Sequence, residues 1–327
     1  MKITIIGSGA MASFIGAKLN PLSQVTLVGH WRQQIASLQQ SGLLVEEAND
    51  RYLVKLPITN NPAGLAQADL VLILVKSHQT PAAAQTAVPL VASQGLVLTL
   101  QNGLGNKEAL TAVLGSNKVA VGITSAGAAM VAPGHVRIAG MGRTFLAFNA
   151  DQVTRLEQVA DLFQKAGFPT TLTENPDSLI WGKLAVNAGI NPLTAILRKP
   201  NGYLTENETA CALMKRAANE VTAVAKALGI IPPAADAGEQ AFQVAAATAG
   251  NRSSMLQDID RGAPTEIEAI CGAVVNYGRQ HQIPTPVNLA FYQCLKKIEA
   301  HEWNVAATPD TTLSYLQSLI SNLEETS

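Results

Sequence analysis

Short runs of β-branched and other apolar residues alternate with helix-like segments over the first half of the chain. This alternation is typical of βαβ units, whose strands form a parallel sheet. Two of the runs are almost wholly apolar, as expected for strands that are covered on both faces. We predict five strands of such a sheet, at residues 3–6, 25–28, 70–75, 96–100 and 119–123.

Weaker patterns surround this set. Residues 43–46 and 52–56 are predicted to form an added hairpin, and residues 134–138 and 144–148 to form late antiparallel edge strands. Residues 153–166 have the apolar spacing of a helix, which we predict to be the last helix of this half.

The strand pattern ends at about Asn175, and nearly everything beyond it has helical periodicity. Pro176, with the polar residues that follow it, is typical of a helix start. We therefore predict a Rossmann-type α/β domain over residues 1–174 and an all-α domain over residues 175–327. The boundary is expected within the polar stretch 170–177.

Length and charge narrow the classes of function. The 327 residues exceed what one typical core requires, which agrees with two domains. A net charge of −1 provides no field to attract nucleic acid or an anionic membrane. The most apolar long window, residues 179–197, contains a lysine and two asparagines, which argues against a membrane span. We expect a small-molecule substrate and neither nucleic acid nor membrane as a partner, and the oligomeric state, a homodimer included, stays open.

The cysteines bear on the cell compartment. Cys211, Cys271 and Cys294 are far apart and match no metal-ligand or redox-motif spacing. We predict small buried residues in a reducing compartment, and no metal site. A strand-like run begins at Lys2, where a signal peptide would have a charged and then an apolar region. A cytoplasmic protein is expected.

The first candidate site is the loop after the first predicted strand. Gly7-Ser8-Gly9-Ala10-Met11-Ala12 has the pattern G-x-G-x-x-A and opens a helix. The first glycine permits a tight turn, the second lets a pyrophosphate approach the backbone, and the small third residue lets the helix pack closely. Phosphate oxygens would meet the free N–H groups of the helix. We predict a dinucleotide site; a tight turn without a ligand is the alternative.

The end of the second predicted strand bears on which dinucleotide is bound. NAD enzymes usually place an Asp or Glu there to bind the ribose 2′-hydroxyl. This chain has Gly29-His30-Trp31-Arg32 instead. Arg32 can pair with a 2′-phosphate and Trp31 can cover the adenine, which favours NADPH over NADH. In the alternative interpretation, Arg32 is a solvated residue of the first helical turn.

A polar stripe crosses the apolar segment after Pro176. Lys183, Asn187 and Asn191 are spaced four residues apart, so one helix face carries all three. A single lysine in line with two carboxamides, among apolar neighbours, predicts the lining of a cleft. The alternative is a helix whose buried asparagines bridge to neighbouring elements while Lys183 extends to solvent.

Three polar residues of a later stretch follow helical spacing and are predicted to share a face: Asn251, Ser254 and Asp258. Farther on, Thr265 and Glu268 fit a capping box for the next helix. Glu266 then has no duty in that box and is available to face a cleft. An equally simple alternative is that Glu266 complements the helix dipole.

The glycine loop is one of four motifs that follow one another along the chain. The others are Gln101-Asn102-Gly103, then Trp181-Gly-Lys183-Leu-Ala-Val-Asn187 with Ile190-Asn191-Pro192-Leu-Thr-Ala, and Ser253-Ser254-Met255-Leu-Gln-Asp258 with Thr265-Glu266-Ile267. Together they resemble the ketopantoate reductase (2-dehydropantoate 2-reductase) family over nearly the whole chain. The resemblance implies a Rossmann domain followed by a helical domain. It also implies an oxidoreductase that reduces ketopantoate to pantoate with NADPH, in pantothenate and coenzyme A biosynthesis.

The resemblance also implies roles for individual residues. Lys183 matches the catalytic lysine, and Glu266 matches a cleft glutamate that contacts the cofactor side and helps set the position and charge of the lysine. The positions implied for substrate binding are Asn102, Asn187, Asn191, Asn201 and Ser254, with Asn251 as a further candidate. The positions implied for cofactor binding are Gly7, Ser8, Gly9, Ala10, Met11, Ala12, Arg32, Lys76, Asn102, Ala128 and Glu266. Lys76 and Ala128 are expected after strands of the sheet, where open α/β sheets place ligands.

Two departures from the family pattern are visible. The usual arginine for the 2′-phosphate falls near His30, which leaves Arg32 as its substitute. Ala126 stands where the family often has a histidine. Both departures concern the predicted cofactor-binding half.

Two other functions remain open from the sequence. One is a related enzyme that reduces another branched 2-keto acid, such as ketoisovalerate, or oxidises a 2-hydroxy acid with NAD. The other is a non-catalytic nucleotide sensor that kept the fold. The presence of both Lys183 and Glu266, with the asparagine stripe, counts against the sensor.

Overall fold

Strands alternate with helices up to residue 176, and only helices follow, in the computed structural model, which describes residues 1–147, 150–303 and 308–325. Phe148, at the end of one predicted strand, lies outside the described residues. The strands are β1 (Lys2–Ile6), β2 (Gln24–Val28), β3 (Leu43–Glu47), β4 (Asp50–Val54), β5 (Ile58–Thr59), β6 (Ala68–Ile73), β7 (Val91–Thr99), β8 (Val119–Thr124), β9 (Gly127–Ala132), β10 (His135–Gly140), β11 (Thr144–Ala147) and β12 (Thr170–Thr173).

The helices divide between the two halves of the chain. Those of the first half are α1 (Ala10–Leu19), α2 (Arg32–Ser41), α3 (Thr80–Ala87), α4 (Asn106–Leu114) and α5 (Val153–Lys165). Those of the second half are α6 (Pro176–Leu197), α7 (Tyr203–Glu206), α8 (Glu208–Ala227), α9 (Ala237–Ala247), α10 (Ser254–Asp260), α11 (Ala273–Gln280), α12 (Pro286–Glu299) and α13 (Pro309–Glu325). Two 3₁₀ turns, Ser77–Gln79 and Ala150–Gln152, and a π-helix, Glu268–Gly272, complete the set of helical segments in the described residues.

The larger sheet has the strand order β12-β11-β8-β7-β6-β1-β2-β5. Its strands from β5 to β8 run parallel, in the order of a doubly wound Rossmann sheet. The order reverses beside β1, so the glycine loop after β1 lies at the switch point where such sheets bind ligands. The predicted fold class, a Rossmann-type α/β domain with an all-α C-terminal domain, is confirmed.

The apolar runs are explained by burial on both faces of this sheet. Along β6, Leu70 and Leu72 belong to one apolar cluster, whereas Val71 and Ile73 belong to another. Successive side chains of a strand point to opposite faces, so a strand covered on both sides needs an unbroken apolar run. This requirement is why the central strands were recognisable from the sequence.

A smaller sheet of order β4-β3-β10-β9 packs against α1 in the same half. Its hairpin β3–β4 was predicted and is confirmed, with Leu43 paired to Val54. The predicted antiparallel edge strands are wrong in their placement. β10 lies inside the smaller sheet between β3 and β9, and β11 lies inside the larger sheet between β8 and β12. Their outer neighbours, β9 and β12, were not predicted, because one is rich in glycine and alanine and the other is short and polar.

The stretch 170–177, in which the domain boundary is predicted, therefore also contains a strand. Thr170–Thr173 is strand β12, which pairs in parallel with β11 through Thr170 and Thr144. Thr170 is buried, and threonine is a β-branched residue suited to a strand. The polarity of these residues favours a domain boundary, whereas Thr170–Thr173 extend the larger sheet by pairing with β11.

The chain separates into two units. The first comprises Met1–Gln101 and Gly105–Pro176, and the second comprises Asn102–Leu104 and Asp177–Ser327. The second unit has one apolar core, built largely by α6, α8 and α12. Among the described residues, no helix is both long enough and apolar enough to cross a membrane.

Candidate functional site

Gly7 and Gly9 of the glycine loop differ in what surrounds them. Gly7 has φ +137°, and a Cβ built there would lie 2.7 Å from the carbonyl oxygen of Leu74, so the protein itself requires a glycine. A Cβ built on Gly9 would meet no atom of the described residues within 4 Å. The open space above Gly9 fits an external group that approaches the backbone, as a pyrophosphate does. Ala12 is fully buried, as expected for the small residue at the helix–sheet contact.

Helix α1 begins directly after this loop. Gly9 is its N-cap, and within these described residues no side chain caps the helix and no acidic residue occupies its first turn. Ala10 and Met11 are half-buried, whereas Ser8 is buried. The first N–H groups of a helix have no intrahelical acceptor, so this terminus is suited to an anion.

The end of β2 differs from that of an NAD enzyme for a steric reason. A Cβ on Gly29 would collide with the Ser8 side chain, so an Asp or Glu has no room at this position. His30 and Arg32 are exposed, and the indole N–H of Trp31 donates to Gln33 Oε1 at 2.8 Å. Two basic side chains are therefore available near the predicted ribose position, and no acidic one from residues 29–32.

Lys76 and Ala128 are placed differently from each other. Lys76 is the third residue after β6 and is half-buried, at the carboxyl end of the larger sheet as expected. Ala128 does not end a strand of that sheet. It lies within β9 of the smaller sheet, where it pairs with Ile138. The strand predicted to precede Ala128 does end close to the expected place, at Thr124, but the sequence did not reveal β9, which begins three residues later.

In the second unit, α6 carries Lys183, Asn187 and Asn191 on one helix, as the spacing predicts. Asn191 is buried, and the other two are half-buried. Burial lowers the pKa of the Lys183 ammonium to about 8, and the negative charge of Glu266 partly opposes that decrease. A lysine with this pKa is able to give up a proton near neutral pH.

Glu266 is 6% exposed and lies just before the π-helix Glu268–Gly272. The Asn102 amide approaches it, with Nδ2 3.5 Å from Oε2 of Glu266. The N–H of Leu104 donates to the carbonyl of Ala269 at 2.9 Å, which fixes the Asn102–Leu104 segment against the π-helix. π-Helical turns are common at functional sites.

Gly103 explains why this approach is so close. It has φ +80°, and a Cβ there would lie 2.6 Å from the Ala269 carbonyl oxygen. A larger residue would push the segment away from the π-helix. The glycine of the Gln101-Asn102-Gly103 turn therefore allows Asn102 to reach Glu266.

The predicted capping box is wrong. The Thr265 hydroxyl does accept from a backbone N–H, that of Ile267 at 3.2 Å, but the Glu268 side chain accepts from the Tyr292 hydroxyl at 2.9 Å instead of returning to Thr265. The backbone after Thr265 forms a turn and a π-helix where the capping box requires an α-helix.

Ser254 and Asn251 do not share a helical face. Asn251 is exposed and precedes α10, whereas Ser254 is the first residue of that helix and is half-buried. Asp258 is buried and accepts from Arg261 at 2.7 Å. The predicted common face is therefore wrong, because α10 begins only at Ser254.

Asn201 lies in the turn before α7. Its Nδ2 donates to Thr248 Oγ1 at 2.9 Å, and its backbone N–H donates to the carbonyl of Asn251 at 3.0 Å. Its Oδ1 is buried and has no hydrogen-bond partner among the described residues. A buried acceptor without a donor costs about 1–3 kcal/mol, so a donor from a ligand would be favourable here.

Sequence reasoning missed the residues that hold the site together. The hydroxyl of Thr194 donates to Ser253 Oγ at 2.7 Å, and Ser253 in turn accepts from Leu256 N as the N-cap of α10. This buried contact joins the helix that carries Asn191 to the helix that carries Ser254. Both hydroxyl residues stand within the quoted motifs, but only the fold shows that they meet.

Comparisons with known proteins bear on the same residues. Residues 3–150 match the model of the family described as ketopantoate reductase PanE/ApbA, and residues 175–299 match the model of its C-terminal domain. The chain belongs to the ketopantoate reductase family. The two matches together include the glycine loop, Lys183 and Glu266. Among the described residues, no group of three or more His, Cys, Asp or Glu side chains is arranged to hold a metal ion.

Relatives of this ketopantoate reductase family member align over most of its length. A 2-dehydropantoate 2-reductase of Halobacterium salinarum is 39% identical over 290 residues, which cover 88% of this chain and 95% of the relative. One from Vibrio cholerae is 38% identical over 308 residues, or 94% and 100% of the two chains.

Two solved structures are also similar to this chain over most of its length. A PanE/ApbA family ketopantoate reductase from Ralstonia eutropha has a TM-score of 0.84 and 32% identity, covering 92% of this chain and 99% of that one. D-mandelate dehydrogenase with NADH and anilino(oxo)acetate has a TM-score of 0.88 and 26% identity, with the same coverage.

Proposed function

We propose that this protein reduces 2-dehydropantoate to pantoate with NADPH, in pantothenate and coenzyme A biosynthesis. The observation that carries the proposal is Lys183, a lysine with a pKa of about 8 beside the buried Glu266. The names of its relatives, 2-dehydropantoate 2-reductases at 38–39% identity, support the choice of substrate.

The reaction adds a hydride to the ketone carbon and a proton to the ketone oxygen. The reduced nicotinamide supplies the hydride. Negative charge develops on the oxygen, and the Lys183 ammonium both stabilises that charge and donates the proton. Glu266 keeps part of the lysine population protonated, because its charge opposes the effect of burial on the pKa.

Neutral polar groups are proposed to bind the rest of the substrate. Asn102, Asn187, Asn191 and Ser254 can bond a carboxylate and a hydroxymethyl group without adding net charge to the site. Asn201 and Asn251 complete the proposed set. Asn251, which is exposed and outside α10, is the member with the weakest structural support.

The first unit is proposed to hold the dinucleotide. The space above Gly9 and the uncapped start of α1 fit the pyrophosphate. Arg32 is proposed to bind the 2′-phosphate, because the Ser8 side chain fills the position from which an acid would bind a 2′-hydroxyl. Lys76 and Ala128 are proposed as further contacts with the cofactor. Asn102 and Glu266 are proposed to contact its nicotinamide end.

Arg32→Ala is expected to raise KM for NADPH about tenfold, equivalent to about 1.4 kcal/mol, and to leave KM for NADH unchanged. The reason is that only NADPH carries the 2′-phosphate. Steady-state kinetics with both cofactors measure the effect. Arg51→Ala, at an exposed arginine that pairs with Glu46, is the control. Equal changes in KM for NADPH and NADH would show that Arg32 does not bind the 2′-phosphate.

A second candidate function is supported by the similarity to D-mandelate dehydrogenase. In that case the protein would oxidise a D-2-hydroxy acid with NAD. The same lysine would serve this reaction as the base, since oxidation reverses the proton transfer.

A steady-state assay of the pure protein separates the candidates. We expect kcat/KM with NADPH to be at least about tenfold higher for ketopantoate than for ketoisovalerate, because a site that bonds the substrate hydroxyl discriminates against an analogue without it. Comparable values for the two keto acids would instead indicate a general branched 2-keto acid reductase. Efficient NAD-dependent oxidation of D-mandelate, without ketopantoate reduction, would establish the second candidate.

We place the reaction in the cytoplasm. Cys271 and Cys294 are buried free thiols and Cys211 is half-buried and free. Burial raises the pKa of the Cys294 thiol to about 12, so the thiol is unreactive and its role is packing. Free cysteines used in this way are typical of a reducing compartment.

A further inference from the structure

The turn that precedes Glu266 is held by a distant carboxylate. Oε1 of Glu299 accepts two hydrogen bonds from Thr265, one from the backbone N–H at 2.8 Å and one from the hydroxyl at 2.7 Å. Thr265 is buried, so these donors have little access to water. Hydrogen bonds to an ionised acceptor are about twice as strong as neutral ones, which makes this a firm attachment.

The same helix holds the chain on the other side of Glu266. Tyr292 lies two turns before Glu299 in α12, on the same face, and its hydroxyl donates to Glu268 Oε2 at 2.9 Å. Contacts from α12 therefore fix the residue before Glu266 and the residue two positions after it. Glu266 lies between two attached points.

Helix α12 is itself anchored at its start. The Glu220 carboxylate of α8 accepts from the backbone N–H groups of Val287 and Asn288, at 2.8 and 2.9 Å. These are first-turn groups of the helix, which have no intrahelical acceptor. With its first turn bound to α8, α12 presents Glu299 from a fixed position.

The remaining contacts of the half-buried Glu299 carboxylate do not explain why it lies against Thr265. Its Oε2 pairs with Lys296 at 3.2 Å, an ion pair within one helical turn between an exposed lysine and a half-buried carboxylate, which contributes little to stability. Its side chain also lines a cavity of about 330 Å³, together with Pro264 and Ile298. A substitution at Glu299 therefore has room to be accommodated without disrupting the core.

We propose that Glu299 is a positioning residue of the active site, which holds the Thr265 turn so that the Glu266 carboxylate stays beside Lys183. This inference rests on the proposed roles of Glu266 and Lys183. When Thr265 is released, Glu266 withdraws from the lysine. Because the charge of Glu266 opposes the effect of burial on the pKa of Lys183, withdrawal leaves less of the lysine protonated.

The test compares variants that keep or remove the acceptor. Glu299→Leu removes it at similar volume, whereas Glu299→Gln keeps an oxygen that accepts from Thr265. Thr265→Val removes the hydroxyl alone and serves as a second variant if Glu299→Leu does not fold. Lys296→Gln removes only the ion pair with Glu299 and is the control, expected to behave as wild type.

The first measurement needs neither cofactor nor substrate. The pKa of Lys183 is followed by NMR in the full chain after ¹³C-methylation of the lysines, with the Lys183→Arg variant identifying its signal. We expect the pKa of Lys183 to fall in Glu299→Leu and in Thr265→Val and to stay at the wild-type value in Glu299→Gln. An unchanged pKa in Glu299→Leu would overturn the proposal, as would an equal fall in Glu299→Gln.

The second measurement is kinetic. In Glu299→Leu we expect kcat at pH 8 to fall about tenfold, because misplacement of a catalytic group by about 1 Å costs one to two orders of magnitude, while KM for NADPH stays within about twofold. The alkaline decline of kcat should move to lower pH. Full activity of this variant would contradict the proposal. Absence of ketopantoate reduction by the wild type would refute the proposed function instead, and the NMR titration would still test the positioning.

Discussion

Lys183→Ala is expected to lower kcat for ketopantoate reduction by about 100-fold or more, the usual contribution of a positioned proton donor. Burial lowers the pKa of the Lys183 ammonium to about 8, which suits proton donation near neutral pH. Without it, the developing oxyanion loses the proposed proton donor and the cation proposed to stabilise it. Turnover under saturating substrate measures the loss, and a turnover equal to that of the wild type would eliminate the proposed role.

Lys183→Arg separates the two contributions of the lysine. Arginine keeps a positive charge but does not release its proton in proteins, so it stabilises the oxyanion without completing the transfer. We expect activity between those of the wild type and Lys183→Ala. Lys226→Ala, at an exposed lysine near the end of α8, is the matched control and should leave kcat unchanged.

The pH profile gives an independent check on the same residue. Lys183 is the acid in reduction, so it must be protonated to act. Since its pKa is lowered to about 8, kcat for reduction should be constant below that pH and decline as the pH rises through it. In the reverse oxidation, where the neutral amine is the base, activity should rise over the same range. A reduction rate independent of pH between about 6 and 10 would contradict this assignment.

The second large effect is expected at the glycine loop, where Gly9→Ala and Gly7→Ala should fail in different ways. In the part of the chain that the structure describes, a Cβ on Gly9 meets no atom within 4 Å. The φ and ψ angles of Gly9, −79° and −169°, are extended, so the variant should keep the wild-type melting temperature. The same Cβ occupies the space proposed for the pyrophosphate. We expect KM for NADPH to rise at least about tenfold, or about 1.4 kcal/mol.

Gly7→Ala should instead destabilise the fold. Its φ of +137° is strained for any other residue, and the new Cβ would lie 2.7 Å from the Leu74 carbonyl oxygen. Strain and overpacking together cost about 2 kcal/mol or more. Thermal melting of the two variants, with and without NADPH, measures both effects. If Gly9→Ala were the less stable variant and bound NADPH normally, the assignment of this loop to the cofactor would be wrong.

Much of the fold was predictable because its signals are local. A strand segment covered on both faces needs an unbroken apolar run, so the buried parts of β6 and β7 were recognisable from residues 70–75 and 96–100. The glycine loop is recognisable from six consecutive residues. Lys183, Asn187 and Asn191 share a face because side chains three to four residues apart lie on the same side of a helix. These features depend on neighbours in sequence, which a single chain displays.

The errors concern pairings between distant segments. β11 looks like an edge strand until β12, which begins 23 residues after the last residue of β11, pairs with it. Ala128 was assigned to a strand end because the low β-propensity of β9 concealed that strand. The capping box of Thr265 and Glu268 is locally reasonable, but Glu299 and Tyr292 bind these side chains from α12 and offer better partners.

The sequence by itself determined the turn that the glycine loop forms and the helix face that Lys183, Asn187 and Asn191 share. It also determined the family, since four motifs occur in one order. Only the tertiary structure decided that Asn102 reaches Glu266, that Thr194 joins the helix of Asn191 to the start of α10, and that Glu299 holds Thr265. Each of these contacts joins residues at least 34 positions apart, and the burial that lowers the pKa of Lys183 exists only once such segments have packed together.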